Sequence, residues 1–284
     1  MAASGALGET LAGWIGPRTQ RNRKIMTNLR VAFPDKSRAE IKALSVSIWR
    51  NFGRIVSEYP AFRGIFRRGR ENSPFDFELA PGVENLLAEG RPMIFVGAHI
   101  SNWEFTALGI RLLGAPLSVV YSKLRNGVID EAIRQARTDM DCGLIARTDG
   151  LRPLVACLTS GTSIGILADR RIKTGAPTSF FGRETYFSQA PGRLAVKYGA
   201  PVVPAFVSRP KRGRVLLRLG EPIDPASLPG SDRDKAAEIT ERVTQEIETE
   251  IRRRPGDWLC SQRIWPGVSY DDAPAPRGAL SLDA

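Results

Sequence analysis

The chain has 284 residues, of which 42% are hydrophobic, and a formal net charge of +11. That length is ample for one large core, and the composition excludes disordered and fibrous classes. The excess of basic residues implies an anionic partner, whether nucleic acid, an acidic carrier protein or the negative leaflet of a membrane. Residues 1–16 have neither the basic start nor the continuous apolar core of a secretory leader. No apolar run approaches the ~18 residues needed to cross a bilayer. Cys142, Cys157 and Cys260 are odd in number and lack metal-ligand spacing, which suits reduced thiols in a cytoplasmic compartment.

Taken in order, residues 1–16 are small and weakly apolar, with Leu7, Leu11, Trp14 and Ile15 as the sizeable anchors. Residues 17–34 then carry Arg18, Arg21, Arg23, Lys24 and Arg30 among Ile25, Met26, Leu29, Val31 and Phe33, with no acid. This pattern predicts a basic amphipathic helix, suited to an anionic surface or to a solvated face of the body. Ser37-Arg38-Ala39-Glu40 is a capping-box start for a helix running to about Tyr59. A second basic cluster follows at Arg63, Arg67, Arg68 and Arg70. The expected division is a basic amphipathic helical segment over 1–62, an α/β core over 63–270 and a disordered tail over 271–284 that contains Pro274 and Pro276.

From Glu78 onward, helical and strand patterns alternate. Helices are predicted over 82–89, 102–113, 127–138, 151–159 (opened by Asp149), 189–198 and 232–252. Strands are predicted up to His99 and over 117–121, 143–146, 163–168, 201–207 and 214–219. The stretch from Asp169 to about Phe187 reads as a polar loop, and Asp257 to Trp265 closes the fold. Alternation of this kind predicts an α/β fold: a central, mostly parallel sheet flanked by helices, with an N-terminal helical segment.

The stretch Pro92-Met93-Ile94-Phe95-Val96-Gly97-Ala98-His99-Ile100-Ser101-Asn102-Trp103-Glu104 organises the rest. A buried strand ends just before His99, the only histidine in the chain, and a helix begins a few residues later. That is a usual position for ligands and catalytic groups in α/β sheets, and it suits a general base. Glu104, in the first helical turn, could fold back to hold the other ring nitrogen of His99; as the acid of a Ser101–Glu104 capping box it would have a purely structural task. Asp169 ends a second buried strand, where it could approach His99 or pair with Arg170 or Arg171. Gly161-Thr162-Ser163-Ile164-Gly165 matches G-x-S-x-G. It is rejected as a nucleophile elbow because a helix precedes the serine and a strand follows it. With no Walker loop, dinucleotide fingerprint or zinc spacing, His99 would best activate a hydroxyl of the substrate. Direct acyl transfer from a thioester fits, the oxyanion being held by backbone N–H groups or an arginine.

With these residues in hand, the chain resembles the late lipid A biosynthesis acyltransferases, the lauroyl and myristoyl transferases, within the lysophospholipid acyltransferase superfamily. The resemblance covers roughly residues 18–266. It rests on H-x4-D/E at His99 and Glu104, on Tyr121-Ser122-Lys123-Leu124-Arg125-Asn126, and on Leu167-Ala168-Asp169 followed by Phe180-Phe181-Gly182. Arg193-Leu194-Ala195 to Val203-Pro204 and Pro255-Gly256-Asp257-Trp258-Leu259 continue it. The resemblance implies an acyltransferase core with His99 as base, Glu104 as its partner, and Arg137 and Asp169 as further catalytic residues. Asn102, Arg125, Arg170 and Arg171 are then expected at the substrate. It implies no cofactor, no metal and no nucleic acid.

The donor would be acyl carrier protein or acyl-coenzyme A, and the acceptor an anionic lipid A precursor at the cytoplasmic face of the inner membrane. A lysophospholipid or a phosphoinositide mannoside is the alternative acceptor, and a non-catalytic basic membrane-binding protein the alternative class. Family members usually begin with a membrane-inserting helix. The chain is expected either to lack that helix or to bind peripherally through residues 1–33. It also departs from the family at Tyr121-Ser122-Lys123, Asp169-Arg170 and Ser261-Gln262-Arg263.

Overall fold

The most apolar runs of the sequence form the centre of a sheet, where burial on both faces favours unbroken hydrophobic strands. The computed structural model describes residues 2–123, 127–210 and 213–270. The residues expected to form a disordered tail, and Arg125, lie outside these. Helices α1 (Ala2–Ile15), α2 (Gln20–Ala32), α3 (Arg38–Glu58) and α4 (Phe62–Arg68) come first. They are followed by β1 (Phe75–Leu79), α5 (Val83–Ala88), β2 (Ile94–Gly97), α6 (Trp103–Leu112), β3 (Leu117–Tyr121), α7 (Gly127–Thr138) and β4 (Cys142–Ala146). The second half contains α8 (Arg152–Thr159), β5 (Ser163–Leu167), β6 (Ala176–Phe180), β7 (Arg183–Phe187), α9 (Ala190–Tyr198), β8 (Val202–Ser208), β9 (Val215–Leu219) and α10 (Asp232–Arg253).

Seven strands form one sheet in the order β1-β9-β8-β2-β5-β3-β4. Strands β8, β2, β5, β3 and β4 run parallel, whereas β9 lies antiparallel to β8 and carries β1 parallel to itself. The fold is therefore the α/β class read from the alternation. On one face, Ile94 and Val96 of β2 share a core with Ile25 and Leu29 of α2, Ile48 of α3 and Ile239 and Val243 of α10. On the other, Phe95 packs with Phe105 and Leu108 of α6 and Met140 beyond α7. Helices α2 and α3 thus bury their apolar stripes in the same core as the sheet.

Two elements depart from the sequence reading. The edge strand β1 precedes the point where the alternating pattern was taken to begin, although Phe75-Asp76-Phe77-Glu78-Leu79 has the period of two expected of a half-buried strand. The expected loop before Phe187 contains the antiparallel hairpin β6–β7. Its two-residue turn places Phe181 and Gly182 at φ of 52° and 69°, the conformation of a tight I′ hairpin. Phe181 lacks the turn chemistry that usually announces such a hairpin, and packing supports it instead, because its ring stacks on Trp258 with centroids 5.9 Å apart.

The capping box of α3 is formed as read, with Glu40 accepting from the Ser37 N–H at 2.8 Å and Ser37 Oγ accepting from the Glu40 N–H at 3.3 Å. Helix α1 crosses α3 at close range, and a Cβ on Gly53 would lie 2.1 Å from the Gly8 carbonyl oxygen. Leu7, Leu11 and Trp14 stay exposed along α1. Among the described residues, no helix is long and apolar enough to cross a membrane.

Candidate active site

The β2–β5 ladder creates the site. Gly97 pairs with Leu167, and the Ala168 N–H extends the ladder by donating to Gly97 O at 2.9 Å. His99 and Asp169 each lie two residues past that pair, so the register alone brings them together at the carboxyl edge of the sheet. His99 Nδ1 lies 2.6 Å from Asp169 Oδ1, and the His99 backbone N–H donates to Oδ2 at 3.1 Å. The indole N–H of the fully buried Trp258 donates to Oδ2 at 3.0 Å. The Trp258 segment also clamps the turn, as Leu259 N–H donates to His99 O at 2.8 Å and Ser101 N–H to Asp257 O at 3.1 Å. Burial raises the proton affinity of Asp169. The His99 imidazole, its hydrogen bonds and the nearby Arg170 outweigh that, and the carboxyl is held below its ordinary range.

Glu104 is not where the sequence reading placed it. The expected contact with the second ring nitrogen of His99 is made by Asp169, and Glu104 turns instead to Arg137. Arg137 Nε and Nη2 donate to Glu104 Oε2 and Oε1 at 2.8 and 2.5 Å, a bidentate fork. Trp103 Nε1 donates to Oε1 at 2.9 Å, and Tyr59 also hydrogen-bonds to this carboxylate. Burial pushes Glu104 up, but Arg137, Tyr59 and Trp103 together bring it below its ordinary value. Tyr59 is raised well above its own, by burial first and then by the Glu104 charge.

The expected Ser101–Glu104 capping box is likewise replaced. Ser101 takes a left-handed φ of 51°, and Asn102 caps α6, its Oδ1 accepting from Glu104 N–H at 3.2 Å. Asn102 is fully buried, and its Nδ2 donates to Glu58 at 2.8 Å. Both ends of the amide are thus engaged by protein. Arg170 is exposed and Arg171 half-buried beyond Asp169. Neither forms the ion pair with Asp169 that was the competing reading.

Below the His99 turn, between α6 and the sheet, lies a narrow apolar pocket of about 50 Å³. Phe95, Ala107, Ile110, Val119, Gly165 and Leu167 line it, with Trp103, Glu104 and Arg137 at its polar end. The Trp103 ring is 5.2 Å from the His99 ring, which ties the pocket to the imidazole. Arg137 Nη1 is buried with no hydrogen-bond partner, a donor left over in a largely apolar space. Ser163, by contrast, is buried and accepts from Met93 N–H at 3.0 Å, consistent with its rejection as a nucleophile.

Sequence reading assigned no role to Trp258, Trp103, Tyr59 or Glu58. Trp258 was legible only as part of its Pro-Gly-Asp-Trp segment, since an indole hydrogen bond across 89 residues leaves no local pattern. Trp258→Phe keeps the stacked ring and loses this bond. The expected result is a kcat lower by about tenfold with KM little changed, read by steady-state kinetics on protein whose unfolding midpoint is also recorded.

The fold thus sets a strand-end histidine, bound to a buried carboxylate, beside an apolar pocket. The family model for bacterial lipid A biosynthesis acyltransferase matches residues 2–266, and the chain belongs to that family. It is an acyltransferase. A phosphatidylinositol mannoside acyltransferase of Mycolicibacterium smegmatis is 24% identical over 81% of this chain and 82% of its own length. A lipid A biosynthesis acyltransferase of Haemophilus influenzae is 26% identical over 87% of this chain and 76% of its own. The lipid A biosynthesis myristoyltransferase of Escherichia coli K12 is 24% identical over 86% and 74%.

Proposed function

We propose that this chain moves a fatty acyl group from a thioester, on acyl carrier protein or coenzyme A, to a hydroxyl of a lipid A precursor. The observation that carries this reading is the His99 Nδ1–Asp169 contact, with Trp103 of the apolar pocket 5.2 Å from the imidazole. Asp169 fixes the ring so that Nε2 faces the acceptor and takes its proton. The resulting alkoxide attacks the thioester carbon, and the tetrahedral oxyanion is held by backbone N–H groups at the turn or by the spare Nη1 of Arg137. Collapse breaks the C–S bond, and the thiolate leaves with the proton from His99. Glu104 acts through Arg137, whose guanidinium it aims, and Arg170 and Arg171 stand beside the site as cations for an anionic acceptor.

The acyl chain lies in the apolar pocket. Gly165 lines that pocket, and a Cβ there would meet Val119 Cγ1 at 2.9 Å. Gly165→Ala is therefore expected to shift product distribution toward shorter chains, at a stability cost of about 1–3 kcal/mol, as measured by competition between donors of different length.

The exposed Leu7, Leu11 and Trp14, with Arg18 stacked 4.6 Å over the Trp14 ring, would seat α1 in the headgroup layer at the cytoplasmic face of the inner membrane. A phosphatidylinositol mannoside is the second acceptor to consider, because of the Mycolicibacterium relative. The deciding experiment is mass spectrometry of reactions with each thioester and each acceptor: a tetra-acylated lipid A precursor, a phosphatidylinositol mannoside and a lysophospholipid. An acyl increment on the lipid A precursor supports the reading, and an increment confined to another acceptor replaces it. No increment with any pair, despite intact folding, would sink it.

A further inference from the structure

On the side of His99 away from Asp169, a second hollow opens at the same edge of the sheet. Strand β2 has β5 on one flank and β8 on the other. Asp169 follows β5, and Arg209 follows β8. Neighbouring strands lie about 4.8 Å apart, so Arg209 leaves the sheet one strand from the histidine turn. The hollow has a volume of about 700 Å³ and reaches Ser101, two residues past His99.

Its lining is opposite in character to the apolar pocket under α6. Arg50 and Arg54 come from α3, Arg209 from the end of β8 and Arg254 from the end of α10. Glu9 and Asp257 are the carboxylates that line it. The cations are only partly neutralised. Glu58, buried beneath, takes Arg54 at 3.2 Å and also pairs with Arg209, and Arg54 meets Glu9 at 3.3 Å. Arg50 is exposed and has no acidic partner among the described residues. Arg254 pairs with Glu250 through Nη2, but its Nε, like that of Arg209, is buried with no hydrogen-bond partner. Buried donors without acceptors are costly to keep, and guanidinium groups are suited by shape to phosphate oxygens.

We propose that this hollow binds a phosphate group of the substrate, placing charge on the β8 side of His99 while the acyl chain occupies the β5 side. The inference rests on the acyl-transfer reading and deepens it, since both a lipid acceptor and a thioester donor arm can carry phosphate. Two variants test it without touching the chemistry. Arg50→Gln removes an unpaired cation, and Ala43→Glu adds a carboxylate at an exposed position lining the hollow.

The first measurement is the unfolding midpoint of each protein in inorganic phosphate against chloride at matched ionic strength. It needs no activity, so it decides the question even where no acyl product forms. Wild type is expected to gain several degrees in phosphate and both variants to gain much less. Equal gains in all three proteins would overturn the proposal. Kinetics then assign the source. A rise of about tenfold in KM for the acceptor, with kcat nearly unchanged, places the phosphate on the acceptor, and the same rise for the thioester places it on the donor.

Discussion

Asp169→Asn is expected to lower acyl transfer by about a hundredfold to ten-thousandfold, and His99→Ala by at least as much. The asparagine keeps the size of the side chain but no longer favours the Nδ1–H form of the ring, and it removes the charge that steadies the imidazolium when the acceptor proton arrives. The two losses share one device, so the double variant is expected to be scarcely worse than either single one. Steady-state rates with one donor and one acceptor, alongside unfolding midpoints, check this. A multiplicative loss in the double variant would mean that the residues act separately.

Glu104→Gln is expected to act first on stability. It leaves the Arg137 guanidinium buried beside a neutral amide, and breaking such a pair costs about 3–5 kcal/mol. Glu104→Gln combined with Arg137→Met removes both charges and is expected to recover much of the loss in denaturant titrations. The pH dependence follows from the same groups. Glu104 and Asp169 both hold their protons less tightly folded than unfolded. In the interval between the two values, the unfolded chain binds more protons, so stability rises with pH there. The contribution is complete above the unfolded carboxyl range of about 4 and is lost as pH falls through the folded values. A midpoint that stayed flat in wild type as pH fell below that range and through the folded values would contradict the two buried pairs.

The strands of the parallel region were legible because burial on both faces leaves apolar runs, and the α3 start because Ser37 and Glu40 carry its cap. The positions of His99 and Asp169 at strand ends were legible too. Which carboxylate meets the imidazole was not. Glu104 lies five residues from His99 and Asp169 seventy, yet the ladder from Gly97 to Leu167 makes the distant residue the neighbour. Local spacing carries no information about register across a crossover. The β6–β7 hairpin was hidden for a related reason, since Phe181 holds its left-handed turn by stacking on Trp258 from the far end of the chain.

Because His99 is the only histidine, one measurement reads the proposed pair directly. A proton–nitrogen correlation spectrum of protein labelled at histidine reports whether Nδ1 carries a strongly hydrogen-bonded proton. The structure predicts such a signal in wild type, its loss in Asp169→Asn, and its survival in folded Glu104→Gln. Survival in Asp169→Asn together with loss in Glu104→Gln would contradict the account and return Glu104 to the imidazole.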